Sequence, residues 1–211
     1  INIKQGEEKD WKASIRLLRA LEAAQLPALS SYRIVIECCV AGNQPEQAFQ
    51  VLQSCIAKGL VPTIYSFELV VSALGKRGQW RRVRQLVDLM KIRLGMTPSV
   101  QIYNSLLQSC SRAKEYIVAK QVLGEMRKDA VPDVRSFNAV ISACANAGQW
   151  KDALQVLDQC HREPSVQPDI YSYTNANIEN LTKYIKPYMD EMLSFLTYSF
   201  LIIKDTKMYV I

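Results

Sequence analysis

Three sets of side chains in this sequence are of types that do chemistry. Six cysteines (Cys38, Cys39, Cys55, Cys110, Cys144 and Cys160) are raw material for zinc sites or disulfides, and His161, the only histidine, is the residue type from which a base at neutral pH is first drawn. Lys76, Arg77, Arg81, Arg82 and Arg84 cluster around Trp80, with Trp150 farther along, a mixture suited to phosphates and bases. Asn104, Asp133, Asn138 and Asp169 offer amides and carboxylates in a recurring pattern. Metal sites need convergent ligands at close spacing, but the sequence has no C-x-x-C and its only adjacent cysteines are Cys38 and Cys39. No carboxylate cluster converges with His161. We therefore expect no enzyme activity in this chain, no metal, no cofactor and no small-molecule substrate.

The elements that position these groups follow from a repeat. Aromatics stand at Tyr32, Phe67, Tyr103 and Phe137, spaced by 34 to 36 residues, and Ala48, Val83, Ala119 and Ala153 follow each of them at sixteen. Each copy closes on a proline (Pro62, Pro98, Pro132, Pro168) followed by Thr63, Ser99, Asp133 or Asp169. From each aromatic the apolar residues run i, i+3, i+4, i+7, as in Tyr32-Val35-Ile36-Cys39 and Tyr103-Leu106-Leu107-Cys110, which is one stripe on a helix of about three turns. A break follows at Gly42-Asn43, Gly78, Lys114 or Gly148, where Gly and Asn tolerate the left-handed conformation. Lys114 fits that role less well, so the third copy is expected to have a strained or differently built turn. A second stripe, such as Ala119-Val122-Leu123-Met126, then gives a second helix, which the closing proline ends. Self-similarity at this period means an all-α solenoid of helical hairpins, each burying its apolar face on its neighbours.

The repeat absorbs most of the suspect chemistry. Cys39, Cys110 and Cys144 align with Leu74, Cys55 and Cys160 align with Met90 and Met126, and Cys38 aligns with Ala73, Ser109 and Ala143. Cysteine interchanging with Leu, Met and Ala behaves as a small buried hydrophobe. Trp80 and Trp150 recur at the start of the second helix, where packing is the expected role and a base platform the alternative. The basic cluster reads either as a solvated outer wall or as a phosphate contact. The formal charge of +6 lies wholly on residues 1–175, because Lys183, Lys186, Lys204 and Lys207 balance Glu179, Asp190, Glu191 and Asp205. A basic solenoid suggests a polyanionic partner.

The expected organisation is residues 1–28 as the second helix of a preceding partial repeat, full repeats at 29–63, 64–99, 100–133 and 134–169, and the start of a fifth at 170–175. The pattern begins in mid-unit, so a fragment is expected and a missing targeting peptide carries no meaning. Residues 176–211 form a divergent tail, read either as a cap or as non-native read-through past an exon boundary. A membrane segment is not expected, because the apolar run 193–203 is about half of the roughly 20 residues needed and holds Ser194, Thr197 and Ser199.

Tyr103-Asn104-Ser105-Leu106-Leu107, Phe137-Asn138-Ala139-Val140-Ile141 and the closing Met126 to Asp133 (Met-Arg-Lys-Asp-Ala-Val-Pro-Asp) resemble the pentatricopeptide repeat motif, Tyr-Asn-x-Leu-Ile to Met-x-x-x-Gly-x-x-Pro-Asp. The resemblance covers roughly residues 11–174, and unit lengths of 35, 36, 34 and 36 resemble the plain class. It implies a right-handed α-solenoid of helix-turn-helix repeats that binds single-stranded RNA, one base per repeat. It further implies base recognition by the residue after the aromatic together with the last residue of the unit. Asn104 with Asp133 and Asn138 with Asp169 match the family's pyrimidine pair, with uracil preferred. Arg33 with Thr63 and Glu68 with Ser99 depart from the familiar pairs, and Thr174 would open a fifth. Glu68 sets a carboxylate against an electronegative base edge, which reads as a gap or as a protonated or water-bridged arrangement. The residue two before the aromatic sandwiches bases in the family, and Tyr65, Arg135 and Tyr171 have the side chains for it. The family also implies a mitochondrial or chloroplast location and a role in RNA processing, stability or translation. The alternatives are a protein-binding helical scaffold, or the RNA-binding part of a longer RNA-processing enzyme.

Overall fold

The computed structural model describes residues 3–25 and 28–176, with side chains from Trp11 onward. The two readings of the tail, as a cap or as read-through, fall beyond residue 176 and lie outside the described residues. Among the described residues every regular element is a helix: α1 (Ile3–Ala23), α2 (Leu29–Ala41), α3 (Pro45–Ala57), α4 (Ile64–Lys76), α5 (Trp80–Leu94), α6 (Val100–Arg112), α7 (Tyr116–Asp129), α8 (Val134–Asn146), α9 (Trp150–Arg162) and the short α10 (Ile170–Asn175). None of them is long and apolar enough to cross a membrane.

The two stripes explain the hairpins. The apolar positions of the first helices, Tyr32 to Cys39, Phe67 to Leu74, Tyr103 to Cys110 and Phe137 to Cys144 at helical spacing, are buried, as are Ala48, Val83, Ala119, Ala153 and the residues that follow them on the second helices. Burying a large apolar side chain contributes about 1.5–3 kcal/mol. Neither helix of a pair can do that alone, so the hairpins stack. The first helices form one continuous row, with α2 on α4, α4 on α6, α6 on α8 and α8 on α10. Each second helix packs on its own partner and on the next first helix, as α3 does on α4, α5 on α6 and α7 on α8. The helix α1 packs on α2 in the same manner.

The cysteines sit inside this packing. Cys39, Cys55, Cys110, Cys144 and Cys160 are fully buried and Cys38 partly so, all as free thiols. Burial pushes the thiols of Cys39, Cys55, Cys144 and Cys160 up to about 11 and that of Cys110 to about 12, away from the thiolate form that ligates metals.

The turn between paired helices is the same in all four copies. Gln44, Gln79, Glu115 and Gln149 each donate a backbone N–H to the carbonyl five residues earlier, on Cys39, Leu74, Cys110 and Cys144. The residue just before each of these donors is left-handed: Asn43 (φ 55°), Gly78 (φ 70°), Lys114 (φ 60°) and Gly148 (φ 74°). Lys114 therefore sits in the strained version of the common turn, and the differently built alternative is not what forms. In the first copy the left-handed residue is Asn43 alone. Gly42 is there for space, since a Cβ at that position would lie 2.7 Å from Cδ1 of Trp11.

Across four repeat boundaries, the residue after the last apolar position of the second helix meets the aromatic that opens the next copy. Glu22 accepts from the Tyr32 hydroxyl at 2.6 Å, Lys91 reaches the Tyr103 hydroxyl at 3.5 Å, and His161 Nε2 lies 2.9 Å from the Tyr173 hydroxyl. Where the aromatic is Phe137, which has no hydroxyl, Arg127 lies over its ring instead. His161 Nδ1 also donates to the Leu157 carbonyl, so packing employs both ring nitrogens.

Candidate nucleic-acid interface

The first-helix row presents the polar pattern that the sequence singled out. Asn104 follows the buried Tyr103 on α6 and Asn138 follows the buried Phe137 on α8, so each lies beside the apolar stripe rather than in it. Asp133 and Asp169 are the N-caps of α8 and α10, each directly after the proline that closes the preceding unit. Stacking brings each amide against the next N-cap. Asn104 Nδ2 donates to both Asp133 oxygens, at 3.1 and 3.2 Å, and Asn138 Nδ2 donates to Asp169 Oδ1 at 2.9 Å.

A third residue, which the sequence reading missed, completes each ensemble. The Ser136 hydroxyl lies 2.6 Å from Asn104 Oδ1, and the Ser172 hydroxyl lies 2.6 Å from Asn138 Oδ1. Both serines close a capping box, since the aspartate side chain accepts from the serine N–H while the serine oxygen accepts from the aspartate N–H. Each hydroxyl has one hydrogen, and its shortest contact is the amide oxygen. The amide is thereby held from both ends, with Nδ2 toward the carboxylate and Oδ1 toward the hydroxyl. These bonds leave each asparagine one N–H and one lone pair without a partner in the ensemble, and each residue lines a recess on this face. Burial pushes the Asp169 carboxyl up, but hydrogen bonds from Asn138, Ser172 and the Tyr171 N–H outweigh it, leaving a carboxylate more acidic than usual.

The other pairs differ. Glu68 and Ser99 do meet, with the Ser99 hydroxyl 2.7 Å from Glu68 Oε1. Arg33 turns away from Thr63 to Glu37 at 3.0 Å, while Thr63 Oγ1 lies 3.3 Å from Ser66 Oγ. Thr174 is exposed and its hydroxyl donates to the Tyr171 carbonyl.

Two open recesses run along this face. One, of about 370 Å³, is lined by Gln101, Asn104, Gln108, Asp133 and Arg135, and a larger one of about 730 Å³ by Gln108, Arg135, Asn138, Asp169 and Tyr171 among others. Arg135 is exposed and common to both, standing between the two asparagines. Tyr65 and Tyr171, at the starts of α4 and α10, are 50% and 66% exposed.

The basic cluster is mostly occupied elsewhere. Arg82 pairs with Glu46 on α3, Arg84 with Asp88 and with Glu125 on α7, and Arg77 donates to the Asn43 carbonyl at 2.6 Å. Lys91 with Asp129 and Lys120 with Asp152 extend the same lacing between successive second helices. Arg81 lies over Trp80, which packs against the core, whereas Trp150 is 40% exposed and has Lys151 over its ring. Among the described residues no group of three or more His, Cys, Asp or Glu is placed to hold a metal ion.

Sequence models described as pentatricopeptide repeat domain and PPR repeat match the chain, the first over residues 85–146 and the second over 30–60, 65–93 and 135–163. A chloroplastic pentatricopeptide repeat-containing protein of Arabidopsis thaliana is 27% identical over 128 residues, which is 61% of this chain and 19% of that protein. A second Arabidopsis thaliana protein of the same description is 25% identical over 92 residues, covering 43% of this chain and 10% of the relative. Among solved structures, the maize pentatricopeptide repeat protein PPR10 superposes with a TM-score of 0.64 at 17% identity, over 89% of this chain and 27% of that one. PPR10 in complex with an 18-nt psaJ RNA element gives 0.62 at 22% identity, over 90% and 28%. The chain thus spans a small part of each relative's length, and likeness at this level of identity speaks to the fold.

Proposed function

The chain belongs to the pentatricopeptide repeat family, and from that premise we propose that its first-helix face binds single-stranded RNA, with Asn104/Asp133 and Asn138/Asp169 each reading a pyrimidine, uracil by preference. The observation that carries this reading is the twice-built Asn-Asp-Ser ensemble. An amide fixed between a carboxylate and a hydroxyl has an N–H and a lone pair side by side, the complement of the adjacent carbonyl and N3–H on a uracil edge. The aspartate orients the amide and can bridge to the base through water. Arg135, exposed between the two amides, is suited to stack between neighbouring bases, an interaction worth about 1–3 kcal/mol per base. Tyr65 and Tyr171 are the further stacking residues, and Arg33/Thr63 and Thr174 contribute less defined contacts.

The repeats run 29–63, 64–99, 100–133 and 134–169, in the plain-class arrangement, as a binding array rather than a catalytic unit. The setting is an organelle, mitochondrion or chloroplast, where such an array serves RNA processing, stability or translation. The chloroplastic designation in the name of one relative supports it. A randomised single-stranded RNA pool, selected on the wild type and on N104A/N138A and then sequenced, tests the proposal. Enrichment of a U-U step that the double variant loses is expected. Absence of any RNA enrichment sinks the reading, and enrichment that the double variant leaves untouched removes the asparagines from it.

A further inference from the structure

We propose that the repeat carrying Glu68 and Ser99 reads guanine. The inference rests on the base-reading role proposed for Asn104 and Asn138, and extends it to the pair that departs from theirs. Glu68 follows the buried Phe67 on α4 as Asn104 follows Tyr103 on α6, and α4 packs directly on α6. Ser99 is the N-cap of α6 as Asp133 is of α8. The two side chains meet, so this repeat has an assembled pair and not a gap.

The polarity of the pair is reversed. In the third and fourth repeats the helix residue donates to the loop residue. Here the loop donates to the helix: Ser99 gives its hydroxyl hydrogen to Glu68 Oε1 at 2.7 Å and accepts the Ile102 N–H at 3.3 Å. The place of Ser136 and Ser172 is taken by the fully buried Ile102, which has no hydroxyl to offer. Among the described residues Glu68 has no cationic partner, and its Oε2 takes part in no hydrogen bond.

A carboxylate offers acceptors only. Of the four Watson-Crick edges, that of guanine alone sets two donors side by side, N1–H and the N2 amino group. Adenine and cytosine put an acceptor next to their donor, and uracil flanks its one donor with acceptors, so each of them turns a lone pair toward the carboxylate. Guanine instead donates a forked, charge-assisted pair of parallel hydrogen bonds to it. No protonation of Glu68 is required.

The test measures wild-type affinity for single-stranded oligoribonucleotides that carry each of the four bases beside a U-U step, on either side of it, together with the E68Q variant. Guanine on one side is expected to bind roughly tenfold tighter than the other three bases. E68Q, whose amide restores a donor beside an acceptor, is expected to lose that preference while keeping selection for U-U. Selection for U-U with no preference at the neighbouring base overturns the guanine assignment and leaves the proposed function standing, as does a preference for adenine, cytosine or uracil there. A guanine preference that survives in E68Q also overturns it. Failure to bind any of these RNAs overturns both.

Discussion

Ser136 holds the amide of Asn104 from the neighbouring repeat: its hydroxyl lies 2.6 Å from Asn104 Oδ1, while its own backbone N–H donates to Asp133 Oδ1 at 2.9 Å. The base-facing group of one repeat is thus oriented by a residue of the next. Removing that hydroxyl in S136A leaves a buried amide oxygen without its partner and opens the capping box, at a cost of about 1 kcal/mol. Discrimination between uracil and cytosine at that repeat is expected to fall several-fold, and S136T, which keeps the hydroxyl, is expected to retain it. Binding of the two RNAs side by side decides the matter, and unchanged discrimination in S136A would refute a positioning role.

Arg84 and Arg135 should separate cleanly. Arg84 is engaged with Asp88 and Glu125 in the second-helix row, so R84Q is expected to lower stability by up to about 1 kcal/mol while leaving the salt dependence of RNA binding as it was. Arg135 stands exposed in the groove. R135Q is expected to weaken binding and to flatten the plot of log K against log salt by up to about 0.7. Titrations at several salt concentrations, with denaturation curves alongside, distinguish the two. Weakened RNA binding in R84Q at unchanged stability would contradict this division.

Lys114 is exposed and carries a left-handed backbone that glycine adopts in two of the other three copies of the same turn. K114G is expected to stabilise the chain by about 1 kcal/mol, because the strain removed exceeds the chain entropy that glycine adds. Urea denaturation measures it, and a loss of stability would show that the turn is not strained.

Stability should fall at both ends of the pH range. Lys91 and then Tyr103 hold the Asp129 carboxyl below its ordinary value, the Tyr32 hydroxyl holds Glu22 low, and the asparagine and serine bonds do the same for Asp169. Carboxyls whose folded pKa is depressed contribute stability that is complete above their unfolded values near 4 and is lost as pH falls through the folded ones. The buried thiols act in the opposite sense. Their folded values of about 11 to 12 exceed the unfolded value near 9, so their contribution is complete below pH 9 and is lost as pH rises toward 11. Denaturation midpoints across pH 2.5–11 check this, and in C39A, C55A and C144A the alkaline loss should shrink. An alkaline limb unaffected by those changes would assign it to other groups.

The fold was legible because it rests on period. Apolar spacing on Tyr103-Leu106-Leu107-Cys110 and on Ala119-Val122-Leu123-Met126 admits one arrangement, two helices packed on their stripes, and local breakers such as Gly78 and Pro98 mark where each must end. The same comparison among copies singled out Asn104, Asp133, Asn138 and Asp169 as polar groups that stacking does not explain. Ser136 and Ser172 escaped notice although a serine three residues after the closing aspartate was in plain view, because a serine there also reads as an ordinary helix cap.

Sequence alone determined which residues line the stripes and which stand off them, since helical periodicity is a local property of the chain. Only the tertiary structure decided which polar groups meet across repeat boundaries. It joined Asn104 to Asp133 and Glu68 to Ser99, turned Arg33 to Glu37 instead of Thr63, and engaged Arg82 and Arg84 with carboxylates of neighbouring second helices. Those partnerships depend on how far one hairpin is displaced over the next. That displacement is set by the summed packing of two faces about 30 residues apart in the chain, which no local pattern records.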